Sequence, residues 1–212
     1  MGIPVLILGE SGSGKSASLR NFEPSDVSVF NVASKPLPFR KRLPVQNMAT
    51  YQSIADALSK PAKKAYVIDD AQYLMCFDLF SRIAEKGYEK FAQMALSFYS
   101  MVQFVIRGLP PDCIVYFMMH TDTDANGKIK AKTVGKMLDE KLTLEGLFSI
   151  VLMTEVTKEG YFFVTQSDGF SSCKSPMDMF PLKIDNDLKM VDETIRAYWG
   201  LTTAPEGDEA NG

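Results

Sequence analysis

One motif constrains the fold of this sequence more than any other, a phosphate-binding loop over residues 9–16. These residues read Gly-Glu-Ser-Gly-Ser-Gly-Lys-Ser and match the pattern G-x-x-x-x-G-K-[ST] at every fixed position. A continuous apolar run at residues 3–8 precedes the loop and predicts a strand buried on both faces of a parallel sheet. Residues 15–22 follow with a helical pattern. This order predicts an α/β protein with a nucleotide site at the end of its first strand.

Each residue type in the loop suits phosphate chemistry. Glycines let successive backbone N–H groups turn toward phosphate oxygens, and a helix N-terminus adds partial positive charge. We expect Lys15 to act in catalysis at the β- and γ-phosphates and Ser16 to place its hydroxyl on Mg²⁺. A glycine-rich turn with a surface lysine is the structural alternative. ATP and Mg²⁺ are the predicted cofactors, and the predicted nucleotide-binding residues are Gly9, Glu10, Ser11, Gly12, Ser13, Gly14, Lys15, Ser16 and Ala17.

A second apolar segment, residues 65–68, ends in two acids. It resembles a Walker B element, in which an acid holds Mg²⁺, and we assign that role to Asp69. Asp70 stands where a catalytic carboxylate would orient the attacking water, but it also suits the cap of the helix that follows. Both interpretations stay open. His120 ends the apolar strand at residues 113–119, where it either senses the γ-phosphate in catalysis or bonds a neighbouring side chain.

The rest of the chain alternates strand and helix patterns, which predicts a mostly parallel sheet flanked by helices. Two late strands joined by a Lys-Glu-Gly turn predict an antiparallel hairpin at one edge of the sheet. The prediction is a single domain over residues 1–201 and a disordered acidic tail at 202–212. Strands are predicted at 27–32, 148–156 and 161–166, helices at 51–58, 88–107, 134–142 and 187–199, an irregular segment at 35–50, and a loop or hairpin at 122–132 around Asn126-Gly127.

Positive charge is concentrated in two segments, although the net charge of the 212-residue chain is −3. Residues 35–64 hold seven basic residues against one acidic residue, and residues 128–141 hold five against two. Such segments attract nucleic-acid backbones, and a solvated loop is the alternative for each of them. Lys136 or Lys141 could instead supply a catalytic cation to the γ-phosphate of a neighbouring subunit, with Arg107 as a third candidate.

Composition excludes several kinds of site. The three cysteines form no close pair, which argues against a disulfide framework and against a Cys-x-x-Cys metal site. A chain with one histidine cannot build a His-rich metal site. The longest apolar runs have the length of strands, far below the roughly 20 residues that span a bilayer. Residues 1–10 lack the basic leader of a signal peptide, so we expect a cytoplasmic protein without membrane association.

Several stretches together resemble a known family. They include GIPVLILGESGSGKSASLRNF, NVASKPLPFRKR, AYVIDD, MMHTDT, KTVGKMLDEKLTLEGLFSIVLMTEV and YFFVTQSDGFSSCKSPMDMFPLKIDNDL. The chain is similar to small P-loop ATPases of bacteriophages and prophages that have a RecA-like core, some of which act as single-strand-annealing recombination proteins. The resemblance extends over about residues 1–200.

The resemblance implies ATP and Mg²⁺ at Lys15, Ser16 and Asp69, and a homo-oligomer in the form of a ring or filament. It also implies a role in phage DNA recombination, replication or repair, beside other phage proteins in the cytoplasm of a bacterial host. The chain departs from RecA itself because residues 31–36 offer no acid to serve as the catalytic glutamate after the second strand. This departure leaves Asp70 to act on the water, or a weak ATPase.

Three functions fit these expectations. The first is an oligomeric ATPase that acts on single-stranded DNA. The second is an ATP-gated, non-catalytic partner protein, such as a helicase loader. The third, a nucleotide kinase, is disfavoured because such enzymes generally close an arginine-rich lid over the phosphates, and arginine is sparse after Arg107.

Overall fold

The structure, a computed structural model, describes residues 1–135, 138 and 142–201. The strands in this part are β1 (Ile3–Leu8), β2 (Val27–Asn31), β3 (Val45–Asn47), β4 (Ala65–Asp69), β5 (Ile114–Met119), β6 (Thr121–Thr123), β7 (Ile129–Ala131), β8 (Ile150–Thr157), β9 (Gly160–Val164) and β10 (Lys183–Asp185). The helices are α1 (Tyr51–Ser59), α2 (Gln72–Ser81), α3 (Glu89–Gly108) and α4 (Leu188–Trp199). Short 3-10 helices cover Ser16–Asn21 and Leu144–Leu147.

Eight of these strands form one sheet in the order β10-β9-β8-β1-β5-β4-β2-β3. The six strands from β8 to β3 run parallel to one another. At one edge of the sheet, β9 pairs antiparallel with β8, and β10 pairs antiparallel with β9. The prediction of an α/β protein with a mostly parallel sheet, flanking helices and an antiparallel hairpin is confirmed. β6 and β7 form a separate hairpin, and Gly127 has a φ of +80° in the turn between them, as the Asn-Gly pair predicts.

Helices cover both faces of the sheet and bury two apolar cores. Along β1, Leu6 and Leu8 face one core while Val5 and Ile7 face the other, and all four side chains are fully buried. The first core contains residues of α1, α2 and α3, and the second contains residues of α4 and of the 3-10 helix after the phosphate loop. β1 is therefore covered on both faces, which explains its continuous apolar sequence.

The strand order brings three functional segments together. β1 lies between β5 and β8, and β5 lies between β1 and β4. The phosphate loop after β1, His120 after β5 and Asp70 after β4 consequently lie side by side at the carboxyl edge of the sheet. Ligands of open parallel sheets bind in the crevice at this edge.

Two local predictions need correction. The helix expected over residues 15–22 is a 3-10 helix, Ser16–Asn21, rather than an α-helix. Ser18 accounts for part of the difference, because its hydroxyl donates to the Lys15 carbonyl oxygen at 2.6 Å and competes with α-helical bonding. The irregular segment at 35–50 contains the short strand β3, whose three residues pair with β2.

The predicted closing helix is confirmed with both of its ends. The Asp187 side chain accepts hydrogen bonds from the backbone N–H groups of Lys189 and Met190, and Gly200 ends α4 at a φ of +62°. No helix among the described residues is long and apolar enough to cross a membrane.

Two predicted segments lie largely or wholly outside the described residues. They are the helix at 134–142, of which residues 134, 135, 138 and 142 are described, and the acidic tail at 202–212. Lys136 and Lys141, two of the three candidate cations for a neighbouring subunit, also lie outside the described residues.

Candidate functional site

A cleft of about 350 Å³ opens at the carboxyl edge of the sheet. Its walls come from the phosphate loop, the start of the 3-10 helix, the loop after β2, the ends of β4 and β5, and the start of β9. The residues that line it are Ser11, Gly12, Gly14, Lys15, Ser16, Ala17, Lys35, Pro36, Pro38, Asp69, Asp70, His120 and Tyr161.

The phosphate loop has a shape that depends on its glycines. Gly12 and Gly14 have φ values of +77° and +98°, a region that other residues rarely adopt. A Cβ atom at Gly9 would overlap Thr154 Oγ1 and would lie 2.6 Å from Ser13 Oγ. Thr154 Oγ1 lies 2.6 Å from Ser13 Oγ, and the Ser13 hydroxyl donates to the Glu10 carbonyl oxygen at 2.7 Å. Strand β8 thus packs against the phosphate loop through Thr154.

Lys15 is a buried cation inside the loop. Lys15 is only 6% exposed. Its Nζ donates to the carbonyl oxygens of Gly9 and Glu10, each at 2.8 Å. Burial lowers the pKa of Lys15, and the charges of Asp70 and Asp69 oppose the change. Because an ammonium group has three N–H bonds, one remains for a ligand in the cleft.

Ser16 and Asp69 bring two oxygen ligands together. Ser16 Oγ lies 2.9 Å from Asp69 Oδ2 and 3.1 Å from Oδ1, and Asp69 is 6% exposed. Burial raises the pKa of Asp69 and the neighbouring charge of Asp70 adds to the effect, while the Ser16 hydrogen bond opposes it. A hydroxyl and a carboxylate are suitable ligands for Mg²⁺, which retains several waters and takes further oxygens from phosphates. The two residues therefore fit the predicted ion.

Protein side chains alone do not form a complete metal centre in the described part of the chain. No group of three or more His, Cys, Asp and Glu side chains that could hold a metal ion occurs there. A cation at Ser16 and Asp69 would accordingly need oxygens from the nucleotide and from water, as Mg²⁺ sites of phosphoryl-transfer proteins do.

Asp70 is held between two partners. Its Oδ2 accepts from Lys35 Nζ at 2.8 Å, and its Oδ1 lies 3.1 Å from His120 Nε2. The residue is 8% exposed and has a φ of +58°, a strained conformation for aspartate. Burial opposes its ionisation, but the hydrogen bond and charge of Lys35 outweigh burial and hold the pKa of Asp70 below its ordinary value.

The contacts of Asp70 exclude the alternative that its side chain caps helix α2. Helix α2 begins after Ala71 and has no side-chain hydrogen bond at its cap. The Asp70 carboxylate bonds Lys35 and His120 instead, so it does not cap the helix.

His120 is fixed by contacts on several sides. Besides Asp70, its ring meets the ring of Tyr73 edge to face, with centroids 6.1 Å apart, and its backbone N–H donates to Gln72 Oε1 at 3.2 Å. Burial lowers the pKa of His120, the charge of Lys15 lowers it further, and Asp70 opposes both. A neutral imidazole has one N–H, which donates from Nε2 to the Asp70 carboxylate, so Nδ1 remains only as an acceptor.

The structure adds four residues that sequence analysis did not place in the site. Lys35, Pro36 and Pro38 line the cleft from the loop after β2, and Tyr161 lines it from β9. The segment Lys35-Pro36-Leu37-Pro38 stands out in the sequence, but nothing local connects it with Asp70. Asn31 fixes the loop, because its Nδ2 donates to the Lys35 carbonyl oxygen at 2.6 Å and to Asn47 Oδ1 at 3.0 Å.

The basic segment at 35–64 does not form one continuous patch. Lys35 lies in the cleft, whereas Lys64 forms an ion pair with Asp112 just before β5, at the opposite edge of the sheet. Other members of the segment are occupied locally, because Lys41 pairs with Glu23 and Lys63 donates to the carbonyl oxygens of Pro24 and Ser25.

Two arginines of the segment are not occupied in this way. Arg40 and Arg42, on the loop that carries Lys35, are exposed and form no ion pair with the described residues.

Arg107 lies away from the cleft of its own chain. It is exposed in the last turn of α3, and that end of the helix packs near Gly2, at the amino end of β1. Of the three candidate cations for a neighbouring subunit, Arg107 alone is described, and it does not line the cleft of its own chain.

Comparison with known proteins gives no assignment. No protein-family model matches the chain, and no curated protein matches it. The chemistry of the cleft must therefore be argued from its own residues.

Proposed function

We propose that this protein is a Mg²⁺-dependent ATPase with a RecA-like core that acts as a homo-oligomer on single-stranded DNA in phage recombination, replication or repair. One observation carries the proposal: Lys15, the Ser16–Asp69 pair and Asp70 face one cleft from the ends of β1 and β4, the two strands that flank β5. They supply a cation for phosphate, two oxygens for Mg²⁺ and a carboxylate for the attacking water, which are the parts that nucleotide hydrolysis needs.

Three groups in the cleft would hold the triphosphate and its Mg²⁺. The turn at Gly12 and Gly14 directs backbone N–H groups toward phosphate oxygens, and Lys15 donates its remaining N–H to the β- and γ-phosphates. Ser16 and Asp69 would hold Mg²⁺, which supplies neutralisation of the charge that develops on the phosphate oxygens. Because Lys15 and Asp69 are pre-positioned and buried, their electrostatic effect is strong.

His120 follows β5, the strand next to β1, and Asp70 follows β4, the strand beyond β5. Asp70 accepts a hydrogen bond from the attacking water when one of its carboxylate oxygens is released by its present partner, and His120 holds the other oxygen in place. β5 lies between the strands that carry the loop and Asp70, so His120 is positioned to respond to the occupant of the phosphate site.

The loop after β2 supports the proposal for DNA. Residues 35–42, which we call the basic loop, begin with Lys35 in the cleft and continue to the exposed Arg40 and Arg42. Backbone phosphates of DNA attract such arginines without regard to sequence. One loop would then contact both the nucleotide and the nucleic acid.

An ATP-gated, non-catalytic partner protein is the second candidate. Both carboxylate oxygens of Asp70 are engaged, by Lys35 and by His120, which favours a site that binds ATP without activating water. The two candidates differ in whether nucleotide binding is followed by turnover.

The test is release of inorganic phosphate from ATP with Mg²⁺, measured with and without an oligodeoxythymidine strand. We expect turnover that the strand stimulates and that Lys15→Ala reduces at least about 100-fold, since the loop lysine contributes several kcal/mol to stabilising transferred phosphate. Lys86→Ala is the matched control, because Lys86 is exposed in the loop between α2 and α3 and outside the cleft.

Three other outcomes would replace or overturn the proposed function. ATP binding without turnover, in the presence of DNA, would replace the proposal with the ATP-gated partner. Transfer of phosphate from ATP to a nucleoside monophosphate would make the protein a kinase. Equal activity in Lys15→Ala and wild type would overturn the proposal.

A further inference from the structure

Lys35 differs from Lys15, the other lysine that lines the cleft. Its ammonium group points into the cleft from outside the phosphate loop, its side chain is 59% exposed, and one acid, Asp70, pairs with it there. Lys15, in contrast, is buried within the loop. The cleft thus has one cation beneath the phosphate position and a second at its mouth.

The position of Lys35 is built into the backbone. The Asn31 side chain binds the Lys35 carbonyl oxygen at 2.6 Å, and Ser34 has a φ of +55°. Pro36 restricts Lys35 to an extended conformation. The Lys35 ammonium also lies 5.3 Å from the centroid of the Tyr73 ring, which guides it by a cation–π contact. The backbone of Lys35 is therefore held in place, while the exposed end of its side chain can still move.

An incoming phosphate would compete with Asp70 for this cation. The γ-phosphate carries more charge than one carboxylate and presents three oxygens, so an ammonium between the two would bind both or transfer to the phosphate. Such a transfer would leave Asp70 Oδ2 without its present donor, while the contact of Oδ1 with His120 remains. Phosphate binding would then free the oxygen that a water needs.

We propose that Lys35 binds the γ-phosphate within its own chain and, by exchanging Asp70 for phosphate, frees Asp70 to accept a hydrogen bond from water. This inference rests on the proposed function. It makes a cation from a neighbouring subunit unnecessary at the γ-phosphate.

The test compares the affinities of wild-type protein and Lys35→Met for ATP and for ADP, with Mg²⁺, by isothermal titration calorimetry. Loss of one charge-assisted hydrogen bond predicts that ATP binding weakens at least about tenfold, while ADP binding changes less than about threefold. Lys64→Met is a matched control, because Lys64 is 62% exposed and pairs with an aspartate at the opposite edge of the sheet. We expect it to leave both affinities unchanged.

A second comparison separates phosphate binding from a purely structural role as the counter-ion of Asp70. In an Asp70→Asn background the counter-ion role disappears, so Lys35→Met should then lower the ratio of ATP to ADP affinity only if Lys35 contacts the phosphate. Thermal unfolding of each variant reports on folding, and Lys35→Gln replaces Lys35→Met if the latter is unfolded.

The outcomes distinguish this inference from the proposed function. Equal losses of ATP and ADP affinity in Lys35→Met, or no loss at all, would overturn the role of Lys35 while leaving the ATPase intact. Wild-type protein that binds neither nucleotide would overturn the proposed function itself. A loss confined to ATP, retained in the Asp70→Asn background, supports the inference.

Discussion

The two edges of the central sheet both hold clusters of charged side chains, but the clusters are built differently. At the amino edge, Asp192 accepts from Tyr116 Oη at 2.9 Å and from Arg196 Nε at 2.6 Å. The other guanidinium nitrogens of Arg196 donate to the carbonyl oxygens of Asp112 and Lys64 at 2.7 and 2.9 Å. We call Tyr116, Asp192 and Arg196 the amino-edge network.

The phosphate cleft at the carboxyl edge uses similar groups but leaves bonding capacity unused. Lys15 keeps one N–H for a ligand, Lys35 is more than half exposed, and Asp70 has a strained backbone. In the amino-edge network, the carboxylate accepts from two side chains and the guanidinium reaches two carbonyl oxygens besides. Buried charge alone therefore does not mark a functional site. Both clusters line a cavity, so unfilled hydrogen-bonding capacity is the more informative sign.

The largest expected effect is on stability, from Asp192→Ala. The change leaves the Arg196 guanidinium without its carboxylate in a site where Asp192 is only 3% exposed. We expect the free energy of unfolding to fall by about 3–5 kcal/mol, measured by urea denaturation. Phosphate release per folded molecule should stay at the wild-type rate. A loss below about 1 kcal/mol would mean that the network is not the structural element described above.

The matched change in the cleft, Asp69→Asn, should lower ATP turnover strongly and the free energy of unfolding only slightly. Removing the charged ligand is expected to lower Mg²⁺-dependent ATP turnover by at least about 100-fold. The free energy of unfolding should fall by less than about 1 kcal/mol, because burial already disfavours the charged carboxylate and an amide oxygen can still accept from Ser16. Turnover measured across Mg²⁺ concentrations, with urea unfolding beside it, checks both statements. A stability loss as large as that of Asp192→Ala would remove the contrast between the edges.

Gly9→Ala tests the support beneath the phosphate loop. The added methyl group would overlap Thr154 Oγ1, so we expect a loss of about 1–3 kcal/mol in the free energy of unfolding. Adding Thr154→Ala should recover part of this loss. Gly146→Ala is the control, because its new Cβ meets no atom within 4 Å, and it should leave stability nearly unchanged. Equal stability of the Gly9 and Gly146 variants would contradict the close contact with β8.

The smallest effect is expected from Tyr116→Phe, and it depends on pH. Burial, with Asp192 beside it, raises the pKa of Tyr116 well above its ordinary value of about 10. Above pH 10 the unfolded chain therefore loses this proton while the folded chain keeps it, so wild-type stability falls as pH rises. Tyr116→Phe should lose about 1 kcal/mol near pH 8 and should show a shallower further loss toward about pH 10.5. Parallel urea curves for both proteins at the two pH values would detect the difference, and identical slopes would contradict it.

Local patterns in the sequence were sufficient for the elements that depend on local chemistry. The glycine spacing predicted the turn of the phosphate loop, the apolar run predicted β1, and the acids after the next buried strand predicted the partner of Ser16. The caps of α4 followed from Asp187 and Gly200 in the same way.

Features that depend on strand order could not be predicted in this way. Lys35 meets Asp70, 35 residues further along the chain, because β2 lies beside β4 in the sheet. No periodicity encodes that neighbour relation. The strands β3 and β10 have three residues each, too few to show an alternating pattern. The 3-10 helix reflects competition by the Ser18 hydroxyl for one carbonyl oxygen, which helical spacing does not reveal.

The contact of Thr154 with Ser13 also has a consequence for the time course of folding. The two residues are separated by 141 positions, and β1 pairs with β5 and β8, both far along the chain. Contacts between such distant segments form late, because the intervening chain must first be brought together. During synthesis, the phosphate loop leaves the ribosome long before β8 does. The phosphate loop is therefore translated before β8 but reaches its final shape only after β8 has paired with β1.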